Sequence, residues 1–130
     1  MACRGIRGAI TVEENTAVAI KSAVRMLLER IVAANALDVA DIASVIFTAT
    51  LDLDAVYPAV AAREMGWVNT PLLCVQEMAV QGNLPRCIRV LFHWNTECAQ
   101  ADVHHIYLGE ARALRPDLAN NELRITDSQS

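Results

Sequence analysis

Two arginines and a glutamate occupy positions in this sequence where their charges could do chemistry. Arg89 lies inside an apolar, strand-like run from Cys87 to Phe92. Arginine is rarely buried unless it is paired, so this side chain needs an anionic partner in the protein, a bound anion or a cavity. The alternative is a residue at a sheet edge, with its stem on apolar surface and its head group in water.

Arg7 and Glu77 show related patterns. Arg7 stands in a β-prone run beside Gly5 and Gly8, and glycines there leave room for another group to approach the backbone. Glu77 ends another β-prone run, where its carboxylate could accept from a ligand hydroxyl or balance an arginine. Both residues could instead be ordinary surface residues of strands.

Further polar side chains lie near these runs in the sequence. Cys74 could donate a weak hydrogen bond or be a small core residue. The hydroxyl of Tyr107 needs a partner if it is buried. Arg63 lies on a predicted short helix after Tyr57, and Arg115 lies close to the polar C-terminal segment.

The usual catalytic signatures are absent from the sequence. It contains no serine nucleophile motif, phosphate-binding loop or dinucleotide fingerprint. His93, His104 and His105 have no partners at metal-ligand spacing, so we expect no metal. An enzyme built from these residues would act by orientation and fixed charge, without a nucleophile or cofactor.

The composition restricts the class of protein. The chain has 130 residues, of which 54% are hydrophobic, and a net charge of -4, which fits one acidic domain without a basic patch for nucleic acid. No apolar stretch reaches the roughly 20 residues that span a bilayer. The N-terminus lacks the apolar region of a secretory signal, so we expect a cytoplasmic protein whose four cysteines are free thiols.

Periodicity predicts about five strands and one long helix. The helix begins at Asn15 or Thr16, which can cap it, and ends near Asn35. A shorter helix is expected over residues 58–65, and residues 111–118 form a turn-rich segment broken by Pro116. Strands are predicted over residues 3–12, 42–50, 72–75, 86–94 and 105–108.

One helix cannot cover a whole five-stranded sheet. The runs from Val45 to Phe47 and from Val90 to Phe92 are apolar without alternation, which is typical of a sheet covered on both faces. We therefore expect other subunits to supply the missing cover in a homo-oligomer. A monomer covered by its own loops is the alternative.

Five motifs together resemble one enzyme family. The N-terminal run from Arg4 to Glu13 looks like the signature of the trimeric, non-helical class of chorismate mutase. The other four motifs occur in the same order and at matching spacing, so the resemblance covers about residues 3 to 118. They lie at residues 74–78, 87–90, 105–108 and 114–118.

The resemblance implies a mixed α/β fold and a homotrimer. In this family the subunit sheets pack into a pseudo-barrel around a threefold axis, and each active site lies in a cleft between two subunits. The reaction is the Claisen rearrangement of chorismate to prephenate, toward phenylalanine and tyrosine. Residues 1–118 would form the single domain and residues 119–130 a flexible tail.

The resemblance also implies a role for each candidate residue. Arg89 would bind the ether oxygen and a carboxylate, while Arg7 and Tyr107 would hold a carboxylate. Glu77 and Cys74 would contact the ring hydroxyl. Backbone or side-chain atoms at the entrance and walls of the pocket would come from Tyr57, Arg63, Leu73, Leu114 and Arg115.

Two positions depart from the family pattern. Val60 replaces a frequent lysine at the mouth of the pocket, which weakens the attraction for an anion, and Tyr57 replaces a frequent phenylalanine. Two alternatives remain: a trimeric imine deaminase of similar shape, or a non-catalytic metabolite sensor or interaction subunit. The motifs at residues 74–77 and 114–118 favour the mutase over the deaminase, and the intact charged residues argue against the sensor.

Overall fold

The computed structural model describes residues 1–114. It confirms five strands, one long helix and one short helix, with element ends within about two residues of the predicted ones. Three short 3-10 turns complete this part of the chain, and the turn at Gly109–Ala113 begins the predicted turn-rich segment. The elements are β1 (Ala2–Thr11), α1 (Ala17–Asn35), β2 (Ile42–Ala49), α2 (Ala59–Glu64), β3 (Leu72–Gln76), β4 (Cys87–Thr96) and β5 (Ile106–Leu108).

The strands form one mixed sheet in the order β3-β2-β4-β1-β5. β4 runs antiparallel to both of its neighbours, whereas β2 with β3 and β1 with β5 are parallel pairs. Arg89 therefore lies on the central strand of the sheet. The alternative of an arginine at the edge of the sheet is wrong.

Helix α1 is fixed at its start by a side-chain cap and along its length by an apolar stripe. The Thr16 hydroxyl accepts from the backbone N–H of Ala19 at 3.1 Å, as an N-cap residue does. The helix ends where Ala36 adopts a left-handed conformation, with φ of 49°. Its fully buried residues recur at helical spacing and face the sheet; they are Ile20, Val24, Leu27, Leu28 and Ile31.

The covered face is the face of the sheet that packs against α1. Ile6 on β1, Phe47 on β2 and Phe92 on β4 are fully buried there. Gly8 allows the close approach, because an added Cβ would lie 2.9 Å from Cδ1 of Ile31. The hydrophobic core of the chain is thus built between α1 and one face of the sheet.

The open face is the opposite face of the sheet. Leu91 on β4 and Leu73 on β3 remain 37% and 57% exposed there. Among residues 1–114, a small cluster closes one end of this face, where Tyr107 and Ala111 pack on Ala9 and Cys87. Burial along β2 and β4 alternates, so within residues 1–114 these strands are buried on one face. The second cover that we expect from other subunits stays a prediction.

None of the helices formed by residues 1–114 combines the length and the apolar character that crossing a bilayer requires.

Candidate active site

The strand register places the predicted charged residues on the open face. Arg89 lies opposite Ala9 of β1 and Thr48 of β2, and Ala9 lies opposite Tyr107 of β5. Directly opposite residues in a sheet project from the same face. Tyr107, Ala9, Arg89 and Thr48 therefore form one row across four strands.

Glu77 joins this row from the end of β3. Its backbone N–H donates to the carbonyl of Ala49 at 2.9 Å, which continues the β2–β3 pairing beyond Gln76. Its Oε2 accepts a short hydrogen bond from the Thr48 hydroxyl. The same oxygen lies 3.7 Å from Nε of Arg89, so a carboxylate and a guanidinium share the centre of the open face.

Arg89 balances its charge against Glu77 but leaves a hydrogen-bond donor unused. The Nε atom is buried and makes no hydrogen bond within the described structure, although the side chain as a whole is 40% exposed. A buried donor without a partner is costly. The Nε–H of Arg89 lacks an acceptor within residues 1–114.

Arg7 lies next to this centre on β1. It precedes Ala9 by two residues and is opposite Leu91, so it also lies on the open face. Its backbone N–H donates to Nδ1 of His105 at 2.9 Å, which ties this part of β1 to the residue before β5. The side chain is exposed and provides a second cationic group on the same face.

The Cys87 side chain lies beneath the arginine, at the closed end of the open face. Burial raises the pKa of the Cys87 thiol above its ordinary value, although the nearby Arg89 charge acts in the opposite direction. Cys87 is therefore a neutral thiol at neutral pH and a packing partner for Tyr107. Within residues 1–114 no group of three or more potential metal ligands is present.

The remaining predicted residues lie in other places. Tyr57 and Cys74 line a cavity of about 740 Å³ between the segment after β2 and the end of β3. Arg63 lines a separate cleft of about 330 Å³ beside Trp67. Cys74 lies opposite the buried Phe47, so its side chain is on the covered face, whereas Leu73 lies on the open face.

The predicted site residues therefore fall into two groups within one chain. The Arg89 group consists of Arg7, Glu77, Arg89, Tyr107 and Leu114, the last of which packs against the small cluster on the open face. The Tyr57 group consists of Tyr57, Arg63 and Cys74, which line these two cavities. Leu73 lines neither cavity and lies on the open face of the edge strand β3. Neither cavity of the Tyr57 group is lined by Arg7 or Arg89.

Arg115 and the predicted tail at residues 119–130 lie outside the described residues. Two polar residues that contact the Arg89 group carry no signal of this role in the sequence. Thr48 contacts Glu77, and His105 accepts from the backbone of Arg7. The alternation of Thr48 with Phe47 in β2 could have placed the threonine on a polar face, but only the register shows which residue it meets.

Comparisons with known proteins agree on one family. The family model described as chorismate mutase type I matches residues 3–118. A chorismate mutase AroH from Thermus thermophilus is 53% identical over 116 residues, which cover 88% of this chain and 95% of that protein. A chorismate mutase AroH from Bacillus subtilis (strain 168) is 44% identical over 127 residues, covering 95% of this chain and all of the relative.

A solved structure extends the similarity to the fold. The chorismate mutase from Clostridium thermocellum superposes with a TM-score of 0.83 at 48% identity. The match covers 84% of this chain and 97% of that one. The predicted mixed α/β fold is thereby confirmed.

Proposed function

Because this chain belongs to the chorismate mutase type I family and is an isomerase, we propose that it converts chorismate to prephenate. The reaction is a unimolecular Claisen rearrangement in which one C–O bond breaks while one C–C bond forms. It lies at the branch toward phenylalanine and tyrosine. No bond to the protein is required, so the residues need only bind, orient and stabilise charge.

The unused donor of Arg89 is the observation that best supports this function. As the C–O bond of chorismate breaks, the ether oxygen gains negative charge. A fixed guanidinium at that oxygen stabilises the transition state more than the substrate, which is the condition for catalysis. The buried Nε–H of Arg89, without a hydrogen bond in the protein, is suited to this task.

The other members of the Arg89 group fit the remaining polar groups of chorismate. The exposed guanidinium of Arg7 would bind a carboxylate, since arginine can offer two parallel donors to one, and Tyr107 would help to fix it. Glu77 would accept from the ring hydroxyl and balance positive charge that develops on the ring. Binding the substrate at several points would select its compact conformer, in which the reacting carbons are close together.

The separation of the two groups within one chain supports a site shared between subunits. The Arg89 group lies on the open face, which a small cluster around Tyr107 closes at one end within residues 1–114, whereas the Tyr57 group lies around two other cavities. We propose that chains assemble as a homotrimer in which the Tyr57 group of one subunit completes the open face of the next. Tyr57 and the Leu73–Cys74 segment would then line the pocket, and Leu114 would complete its wall.

Arg63 and Arg115 would lie at the mouth of this shared pocket. Their charges would attract the dianionic substrate and enclose it. Val60 replaces a cation at the same mouth and would weaken the attraction. The absence of a cofactor and the cytoplasmic location remain predictions from the sequence.

The direct test is the ultraviolet absorbance of chorismate mixed with the purified protein. We expect the absorbance of the conjugated diene to disappear faster than in buffer, and prephenate to accumulate in equal amount. Loss no faster than the uncatalysed rearrangement would refute the proposed function. Hydrolysis of an imine in place of this reaction would instead identify the deaminase alternative.

The shared site is tested by mixing two defective chains. One chain carries Arg89→Gln, and the other carries Arg63→Ala with Tyr57→Ala. After joint unfolding and refolding in equal amounts, random assembly should restore about a quarter of the wild-type activity, because each site draws one group from each of two chains. No gain over the separate variants, or a fully active monomer by light scattering, would contradict it.

A further inference from the structure

We propose that Thr48 is a positioning residue that holds Glu77 away from Arg89, so that the Nε–H of Arg89 remains available to the substrate. This inference rests on the proposed function of the Arg89 group. It assigns a task to a residue that touches neither the substrate nor the reacting atoms. It acts through the carboxylate of Glu77.

The geometry places Thr48 between the two charged residues in the sheet. It lies opposite Arg89 in the β2–β4 pairing, and its strand pairs on the other side with β3, which leads to Glu77. The Thr48 hydroxyl donates to Oε2 of Glu77. That same oxygen is the atom of Glu77 that lies 3.7 Å from Nε of Arg89, outside the 2.7–3.2 Å range of an N–H···O hydrogen bond.

Without the hydroxyl, Glu77 has a stronger partner close by. A shift of about 0.8 Å would bring its oxygen from 3.7 Å to the roughly 2.9 Å of a charge-assisted bond with the guanidinium. The arginine would then be satisfied by the protein itself. The substrate would have to break this bond before its ether oxygen could accept a hydrogen bond from Nε–H of Arg89.

Threonine is suited to this restraint because its side chain is stiff. A β-branched residue in a strand has a restricted χ1 angle, so the direction of the hydroxyl is fixed by the backbone of β2. Glu77 has a longer side chain and lies just beyond the end of β3. The less mobile residue therefore sets the position of the more mobile one.

The test compares Thr48→Val with Thr48→Ser by steady-state kinetics on chorismate. Valine keeps the shape of threonine but removes the donor, whereas serine keeps the hydroxyl. We expect T48V to lower kcat at least about tenfold with a smaller change in KM, because the blocked donor acts mainly in the transition state. We expect T48S to stay within about threefold of the wild type.

A double-mutant cycle identifies Glu77 as the group through which Thr48 acts. In an E77Q background, T48V should change kcat by less than about a further twofold. The reason is that the Glu77 carboxylate, which T48V would free to approach Arg89, is already absent. Thr96→Val is the matched control, because Thr96 lies at the end of β4, where its hydroxyl accepts from the backbone N–H of Cys98 at 3.1 Å. It should leave the kinetics unchanged.

A measurement without substrate separates this inference from the proposed function. Crystal structures of T48V and T48S should show Oε2 of Glu77 within hydrogen-bond distance of Arg89 Nε in T48V alone. A T48V enzyme within twofold of the wild type, an unchanged Glu77–Arg89 distance, or an equal effect in the E77Q background would overturn the inference. An inactive wild type would refute the proposed function, while the distance would still decide the restraint.

Discussion

The two faces of the sheet are made by the same strands but are completed in different ways. On the covered face, α1 buries Ile6, Phe47 and Phe92 fully within one chain. On the open face, Arg89 keeps an unused donor and Leu91 remains partly exposed. The covered face is buried within the chain, whereas the open face carries a polar donor without a partner and a partly exposed leucine among residues 1–114.

This difference separates stability from function along a single strand. Successive residues of β4 project to opposite faces, so Phe92 belongs to the core while Leu91 and Arg89 belong to the open face. A substitution on one face should then affect stability, and a substitution on the other should affect assembly or catalysis. The following predictions test this separation.

The largest expected effect is on the covered face. Phe92→Ala should lower the free energy of unfolding by about 3–5 kcal/mol, because it leaves a cavity between α1, Trp67 and the sheet. Denaturant unfolding measures this loss, which should not depend strongly on protein concentration.

Leu91→Ala is the matched variant on the other face of the same strand. If a neighbouring subunit covers Leu91, the loss of stability caused by L91A should grow as the protein is diluted. The reason is that association contributes to the free energy of unfolding by mass action. A loss equal to that of F92A at every concentration would show that the two faces are not distinct in this way.

The next effect is catalytic. Arg89→Gln should lower kcat by at least about a hundredfold, the scale for losing one preorganised donor in a transition state. Arg89→Lys should not rescue it, because a point charge cannot reproduce the forked donor of arginine. Steady-state rates on chorismate give the comparison, with circular dichroism to show that the fold is kept.

Arg25→Gln is the control for the loss of a positive charge. Arg25 lies on the solvent side of α1, where it pairs with Glu29 at 2.7 Å. Exposed ion pairs contribute little, so activity and stability should hardly change. A fall of only a few-fold for R89Q would show that the charge is not directed at the transition state.

The sequence predicts the covered face well because it follows from local periodicity. The spacing of Ile20, Val24, Leu27 and Ile31 defines one apolar stripe, and Thr16 marks the start of the helix. Strand positions were also predictable from β-prone runs. Local periodicity does not predict the order β3-β2-β4-β1-β5, since that order depends on pairings between residues far apart in the sequence.

The open face was predicted only in part. Arg7 and Arg89 are recognisable in the sequence as charges in apolar runs, and Glu77 as an acid at the end of a strand. Thr48 gave no such signal, because a threonine is ordinary in a β-strand. Its contact with Glu77 joins residues 29 positions apart, and the division of the site into two groups likewise requires the register of the strands.

The turn that leads into β4 is held by a carboxylate, and its contribution to stability is the smallest expected effect. The carboxylate of Asp52 accepts two hydrogen bonds from the backbone N–H of Arg86, at 2.9 and 3.1 Å, and another from the Thr50 hydroxyl. Arg86 has a φ of 46°, which is unusual for a residue other than glycine. Asp52 therefore holds the strained turn three residues before Arg89.

The expected effect of this carboxylate appears in the pH dependence of stability. Slight burial acts to raise the pKa of Asp52, but the hydrogen bonds from Thr50 and from the backbone of Arg86, together with the Arg86 charge, outweigh it and hold the pKa below its ordinary value. The ionised form is thus favoured in the folded state, so its stabilisation is fully present above the unfolded pKa of about 3.9 and is lost as the pH falls through the folded pKa.

Asp52→Asn should cost less than about 1 kcal/mol at pH 7, because the group is exposed. Unfolding of both proteins from pH 7 to 3 should show this difference shrinking below about pH 4, and a constant difference would contradict the role of the charge.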